Sequence, residues 1–208
     1  MRDKIRFLAT GDIHSDIEFL NEIDKKVDFN TIDFIILIGD ISDKPNDFKN
    51  IFETFKNKQV FMVPGNHDTK KKLDALTKHY GVHLIGNAPV KINDKIGIFG
   101  TNYIDMGFSN VHDRFILENL IKNYMAIKNT KFKIHLSHLP PAKTKVANMS
   151  PFYPMIQGSI IQKKFLENFS PDLTLVGHIH ESSGLEEMVN KTKVVNVGKT
   201  YKIFEIEL

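Results

Sequence analysis

Five short polar stretches carry side chains able to do chemistry: Asp12 and His14 in GDIHSD, Asp40 in GDISD, Asn66 and His67 in GNHD, His138 in SHLPP, and His178 and His180 in GHIH. Residues two apart in an extended chain point the same way, so Asp12 with His14 and His178 with His180 each predict a two-pronged clamp. Pooled, these positions offer two carboxylates, an amide and four or five imidazoles. That is too many donors for one tetrahedral zinc and suits two borderline divalent ions sharing a carboxylate. The chain has no cysteine, which excludes thiolate ligands, disulfides and cysteine nucleophiles together.

Each polar stretch follows an apolar, β-branched run. Ile5–Ala9, Phe34–Ile38, Val60–Val63, Phe132–Leu136 and Leu173–Val176 read as strands, and each ends in one of the motifs. The carboxyl ends of parallel strands in an open α/β sheet line one rim, and ligands bind there. Between the strands, helical periodicity covers Ile17–Val27, Phe48–Phe55, residues 69–79, a stretch near His112–Ile127, and Ser159–Phe169. Short strands are predicted at Val82–Ile85, Val90–Ile92 and Ile96–Phe99, with Val194–Val197 and Tyr201–Ile206 closing the chain as a hairpin. Strand–helix alternation implies parallel pairing, and the final strands imply antiparallel additions. The reading is one α/β domain over residues 1–208, with a mixed sheet or two packed sheets. The longest unassigned stretch, Leu139–Gly158, contains Pro140, Pro141, Pro151 and Pro154.

The composition excludes several classes. Of 208 residues, 41% are hydrophobic and 25% charged, and the formal net charge is +3, a balance that demands neither nucleic acid nor a membrane. No apolar stretch approaches the roughly 18 residues needed to span a bilayer. The opening MRDKIRFLAT enters a strand-like run without a signal-peptide core, so the expected location is cytoplasmic.

Taken in order, D-x-H, G-D-x-x-D, G-N-H-D, a histidine shortly before Pro-Pro, and G-H-x-H resemble the calcineurin-like metallophosphoesterase family across residues 11–180. The resemblance implies an α/β/β/α sandwich, two packed mixed β-sheets flanked by helices, with a dinuclear metal centre on the strand-end rim. By the same resemblance, Asp12, His14, Asp40 and His180 hold one metal, and Asp40, Asn66, His138 and His178 hold the other, with Asp40 bridging. His67 stands beside the centre as the catalytic histidine. Two cations about 3.5–4 Å apart bind phosphoryl oxygens and make hydroxide available for in-line attack. His67 assists the leaving oxygen. Mixed nitrogen and oxygen ligation suits manganese, iron, zinc, nickel or cobalt.

Serine/threonine protein phosphatases of this superfamily resemble GDYVDRG and GNHE; GDISDK and GNHD lack the arginine. The short chain is similar to the compact prokaryotic phosphodiesterases, which favours a small phosphodiester substrate over a monoester. Nuclease activity is disfavoured, because no basic, aromatic-interleaved stripe is present. The alternative from another class is a scaffold that keeps the fold without turnover. Such members typically lose the histidine of the GNH segment, which is intact here.

Structural roles are expected for several neighbours. Ser15 and Glu18 match a capping box, Asp68 or Thr69 caps the following helix, and Asp43 supports its loop through backbone hydrogen bonds. His135 packs inside its strand, His79, His83 and His112 lie on the surface, and Lys70–Lys72 form a solvated helix face. For Asn102, Tyr103, Lys143, Lys145, Phe152 and Tyr153, substrate contact is the lesser reading.

Overall fold

The computed structural model describes residues 4–44, 47–56, 58–86, 88–101, 110–147 and 158–208. Asn102, Tyr103, Phe152 and Tyr153 lie outside the described residues, as does the side chain of His112. In chain order the strands are β1 (Lys4–Thr10), β2 (Phe34–Ile38), β3 (Gln59–Val63), β4 (His83–Leu84), β5 (Val90–Ile92) and β6 (Ile96–Gly100). They continue with β7 (Phe132–Leu136), β8 (Leu173–Val176), β9 (Glu186–Val189), β10 (Thr192–Asn196) and β11 (Tyr201–Glu207). The helices are α1 (Ile17–Lys26), α2 (Phe48–Thr54), α3 (Lys70–Tyr80), α4 (Asn110–Ala126) and α5 (Ile160–Phe169).

The apolar strands are continuous because both of their faces are covered. β2 is buried at every position. Its side chains alternate: Phe34, Ile36 and Ile38 join Phe7, Ala9, Phe61 and Val63 in a core between two sheets. Ile35 and Leu37 instead face Leu20 and Ile23 of α1, Phe48 and Ile51 of α2, and Leu76 of α3. On the other sheet, Ile98, Ile134, Leu136 and Leu175 close the same inter-sheet core. Phe99, Val176 and Val194 turn outward onto Ile116 and Leu120 of α4 and Phe165 of α5. Each fully buried side chain of this size contributes about 1.5–3 kcal/mol of transfer free energy, so the layers are mutually dependent.

The first sheet has the order β11-β1-β2-β3-β4, and the second β5-β6-β7-β8-β10-β9. β1 to β4 pair in parallel, as do β6, β7, β8 and β10, while β11, β5 and β9 add antiparallel edges. This is the expected sandwich of two mixed sheets flanked by helices.

One pairing differs from expectation. β10 and β11 form no hairpin: β10 lies between β8 and β9, and β11 crosses to pair with β1 in the other sheet. The crossing is held by the Gly11–Gly198 bridge and by Lys199, whose N–H donates to the Gly11 carbonyl at 3.1 Å. The true hairpin partner is β9, whose apolar pattern is broken by Glu186 and Glu187. Its two-residue turn places Asn190 at φ 53, a left-handed conformation that asparagine tolerates.

The capping box also differs. Asp16 caps α1, accepting the Phe19 N–H at 3.0 Å. Ser15 sits at φ 60, outside the extended region an N-cap requires. Its hydroxyl instead lies 3.0 Å from the Ser42 hydroxyl and accepts the Asp43 N–H.

Candidate metal centre

The rims of the two sheets meet where β1, β2 and β3 end on one side and β7 and β8 on the other. Backbone bonds tie the loops within each rim, the Asp12 N–H donating to Gly39, the His14 N–H to Asp40 and the Gly177 N–H to His138, while the Gly11 N–H crosses between the sheets to the Val197 carbonyl at 3.1 Å. At this seam Asp12, His14, Asp40 and His178 all adopt left-handed backbone, with φ of 50, 47, 52 and 68. Such conformations cost roughly 1–3 kcal/mol each in residues with a side chain, and they cluster here alone in such density among the described residues. Asp12 and His14 therefore converge through two left-handed residues rather than through the extended chain expected for them. The His178–His180 clamp is split, because His180 opens a 3-10 turn. Two glycines are required by close approach. A β-carbon on Gly65 would overlap the Asp40 carboxylate, and one on Gly177 would overlap that of Asp12.

Two groups of side chains could each hold a metal ion: Asp40, His138 and His178, and beside them Asp12, His14 and His180, with the ligand atoms of each group within 4.8 Å of one another. In the first, His138 Nδ1 lies 2.8 Å from the Ile38 carbonyl. A carbonyl only accepts, so Nδ1 carries the proton and Nε2 presents its lone pair in the neutral ring. That lone pair faces Asp40 Oδ2 at 3.3 Å and Asn66 Oδ1 at 3.2 Å. Three acceptors around one point repel unless a proton or a metal cation lies between them, and nitrogen and oxygen donors converging in this way fit a metal ion. The buried Asp40 and Asp12 carboxylates also draw a proton towards His138, so against the desolvation that lowers its pKa the imidazole is raised above the usual histidine value. Burial would raise Asp40, but the His138 hydrogen bond and charge and the His67 N–H hold it below the usual carboxylate range. His178, desolvated and facing His138, is pushed down to about 4, so it stays neutral and able to ligate.

In the second group, Asp12 Oδ2 accepts the His178 N–H at 2.9 Å. Its Oδ1 is buried without a hydrogen-bond partner among the described residues, 3.3 Å from His180 Nε2. A buried, unpaired carboxylate oxygen is costly in water-free surroundings, and a cation there would satisfy it. His14 Nε2 lies 3.9 Å from Asp40 Oδ2, so the Asp40 oxygen faces both groups. His67 is exposed at the mouth, its ring edge-on to His14 with centroids 5.2 Å apart. Its N–H donates to Asp40 Oδ1 at 2.8 Å. All eight expected site residues are thus brought to one rim.

Several supporting side chains have roles that their local sequence conceals. Asp43 holds His14 rather than its own loop: its Oδ1 lies 3.0 Å from His14 Nδ1, and that hydrogen bond keeps the Asp43 carboxyl below its ordinary value. This leaves His14 Nε2 directed at Asp40, as outer carboxylates do for ligating histidines. Thr69 caps α3, whereas half-buried Asp68 accepts the N–H groups of Asp40 and Gly65 at 2.7 and 2.8 Å. Desolvation raises the Asp68 pKa. Asn196 lies outside the five polar motifs, yet its amide bonds the Ile179 carbonyl and Ser182 hydroxyl, both at 2.7 Å, and so anchors the loop carrying His178 and His180. Its signal was present: Val194 and Val195 form a short apolar run ending in a polar residue, with Gly198 two positions on. His135 packs as expected, fully buried against Phe99 and Phe165. His79 and His83 are exposed.

An α/β sandwich with paired carboxylate–histidine groups at its strand ends defines a class of metal-dependent phosphoester hydrolases. The calcineurin-like phosphoesterase profile matches residues 5–182, and the chain belongs to that family. It is 27% identical over 181 residues to the uncharacterized protein MJ1162 of Methanocaldococcus jannaschii, covering 83% of this chain and 81% of that one. Among solved structures, TT1561 of Thermus thermophilus shares the fold with a TM-score of 0.68 at 20% identity, covering 93% of this chain and 89% of its own. The phosphopantetheinyl hydrolase PptH of Mycobacterium tuberculosis superposes with a TM-score of 0.67 at 12% identity, over 96% and 91%. A dimetal phosphatase of Danio rerio follows at 0.63 and 10%, over 92% and 86%. No helix among the described residues is long and apolar enough to cross a membrane.

Proposed function

We propose that this chain is a metal-dependent phosphodiesterase acting on small phosphoesters through a dinuclear centre. Asp12, His14, Asp40 and His180 would hold one divalent cation, and Asp40, Asn66, His138 and His178 the other. The donor set suits manganese, iron, zinc, nickel or cobalt. Cations there would draw in phosphoryl oxygens and lower the pKa of water between them. The position of Asp40 Oδ2, 3.3 Å from His138 Nε2 and 3.9 Å from His14 Nε2, carries the reading. One carboxylate oxygen facing histidines of two groups is what a shared ligand requires.

The protein's own residues supply the rest. Left-handed backbone and buried hydrogen bonds hold the donors before substrate arrives, which reduces reorganisation during reaction. His67, exposed at the mouth with its main chain tied to Asp40, offers an N–H to the departing ester oxygen. The hydrolase and phosphatase neighbours, at 10–12% identity, support the fold and leave the substrate to experiment.

The test is to strip the protein with chelator, restore manganese, count bound ions and compare bis-p-nitrophenyl phosphate with p-nitrophenyl phosphate. Two ions per chain and faster diester hydrolysis are expected. Full turnover in chelator, or none toward either ester with any of the five metals, would overturn the proposal. A faster monoester rate would overturn its phosphodiesterase part.

A further inference from the structure

Lys72 belongs to a lysine run that reads as a solvated helix face, and Lys70 and Lys71 are indeed exposed. Lys72 is not. Half-buried, it turns its ammonium back toward the metal-centre rim and donates to the Ser42 carbonyl at 2.6 Å and the His67 carbonyl at 3.1 Å. Ser42 lies two residues beyond Asp40 on the loop after β2, and His67 lies on the loop after β3. Two carbonyls cannot bond each other, because both only accept. A cationic donor between them ties the loops together, and bonds to an ionised donor are stronger than neutral ones.

The tie acts on one residue from both sides. The His67 N–H is held by Asp40 Oδ1 at 2.8 Å, and its carbonyl is held by Lys72. With both peptide groups fixed, the direction in which the imidazole leaves the backbone is set. The ammonium also acts electrostatically on the Asp43 carboxylate, which holds His14. Lys72 therefore joins the loops after β2 and β3, and Asp43 carries the connection on to His14 after β1.

We propose that Lys72 is a positioning residue that fixes His67 over the metal centre by bracing the Ser42 and His67 carbonyls. The inference rests on the reading of His67 as the group serving the departing oxygen. Lys72 touches neither ion nor substrate in this role. Its loss lowers turnover while metal stoichiometry and substrate binding persist.

The test uses the full chain with Lys72→Met, which keeps the apolar stem and removes the ammonium, and Lys72→Arg, which restores donors to both carbonyls. With bis-p-nitrophenyl phosphate and manganese, Lys72→Met is expected to lower kcat about ten- to hundredfold, the range for outer-shell partners, with KM nearly unchanged and two ions still bound. Lys72→Arg should recover most of the loss. Hydrogen–deuterium exchange should quicken in peptides spanning residues 40–44 and 65–68 in Lys72→Met and return toward wild type in Lys72→Arg. An unchanged kcat, an arginine variant no better than methionine, or unchanged exchange in both peptides would overturn the proposal. If the wild-type protein hydrolyses no ester, the catalytic reading fails separately, and exchange alone decides whether Lys72 braces the loops.

Discussion

The two donor groups differ in how deeply they are built. Asp40 and His138 are buried, and His178 is half-buried. Each is fixed by bonds to backbone or core: Asp40 oxygen to the His67 N–H, His138 to the Ile38 carbonyl, and His178 through its N–H to Asp12. In the other group only Asp12 is buried, while His14 is half-buried and His180 exposed. His14 depends on exposed Asp43 for its orientation. The inner group is preorganised by the fold, whereas the two histidines of the outer one, His14 and His180, lie where water can reach them. Preorganised ligands lose less conformational freedom on binding, so the inner group should take its ion first and hold it more tightly.

The most severe test of that ordering is the residue facing both groups. Asp40→Asn should abolish detectable hydrolysis and reduce the count of bound ions below two, measured by metal analysis after dialysis. If both ions and turnover survive, Asp40 is not shared and the comparison collapses. Next in size is His67→Ala, which should keep both ions while turnover falls about 10²–10⁴-fold, the usual contribution of a positioned proton donor. A steady-state assay beside metal analysis separates these outcomes.

Smaller changes sharpen the contrast between the groups. Titration of stripped protein with manganese, followed calorimetrically, should show two steps. Asp43→Asn should weaken the looser step about ten- to hundredfold and leave the tighter one in place. Weakening of the tighter step instead would reverse the assignment of inner and outer affinities.

A third histidine environment supplies the smallest effect. His135 is fully buried with no carboxylate beside it among the described residues, and desolvation pushes it down to about 3. The unfolded chain takes up a proton below pH 6.5 while the folded one does not. Stability is therefore complete above that pH and falls as the pH drops toward 3, by about 2 kcal/mol at pH 5. Urea unfolding at pH 7.5 and pH 5 should show a smaller loss in His135→Phe than in wild type. Equal losses would mean that His135 does not sit neutral in the core.

Much of this was legible locally. Apolar runs, their alternation with helical periods and the polar residues at their ends are properties of neighbouring positions, so β1, β2, β3, β7 and β8, and the eight candidate residues that the fold gathers at one rim, could be read from the chain. Ligand chemistry is legible for the same reason: a carboxylate or imidazole carries its donor character wherever it is placed.

What the sequence by itself determined was the inventory and its order along the chain. The tertiary structure decided which of those groups meet. Asp43 reaches His14 across 29 positions and Lys72 reaches Ser42 across 30, and no local pattern encodes either distance. β10 and β11 parted into different sheets because their partners, β8 and β1, lie elsewhere in the chain. Hydrogen bonds and burial depend on proximity in space, and proximity is created only when the two sheets close over a common core.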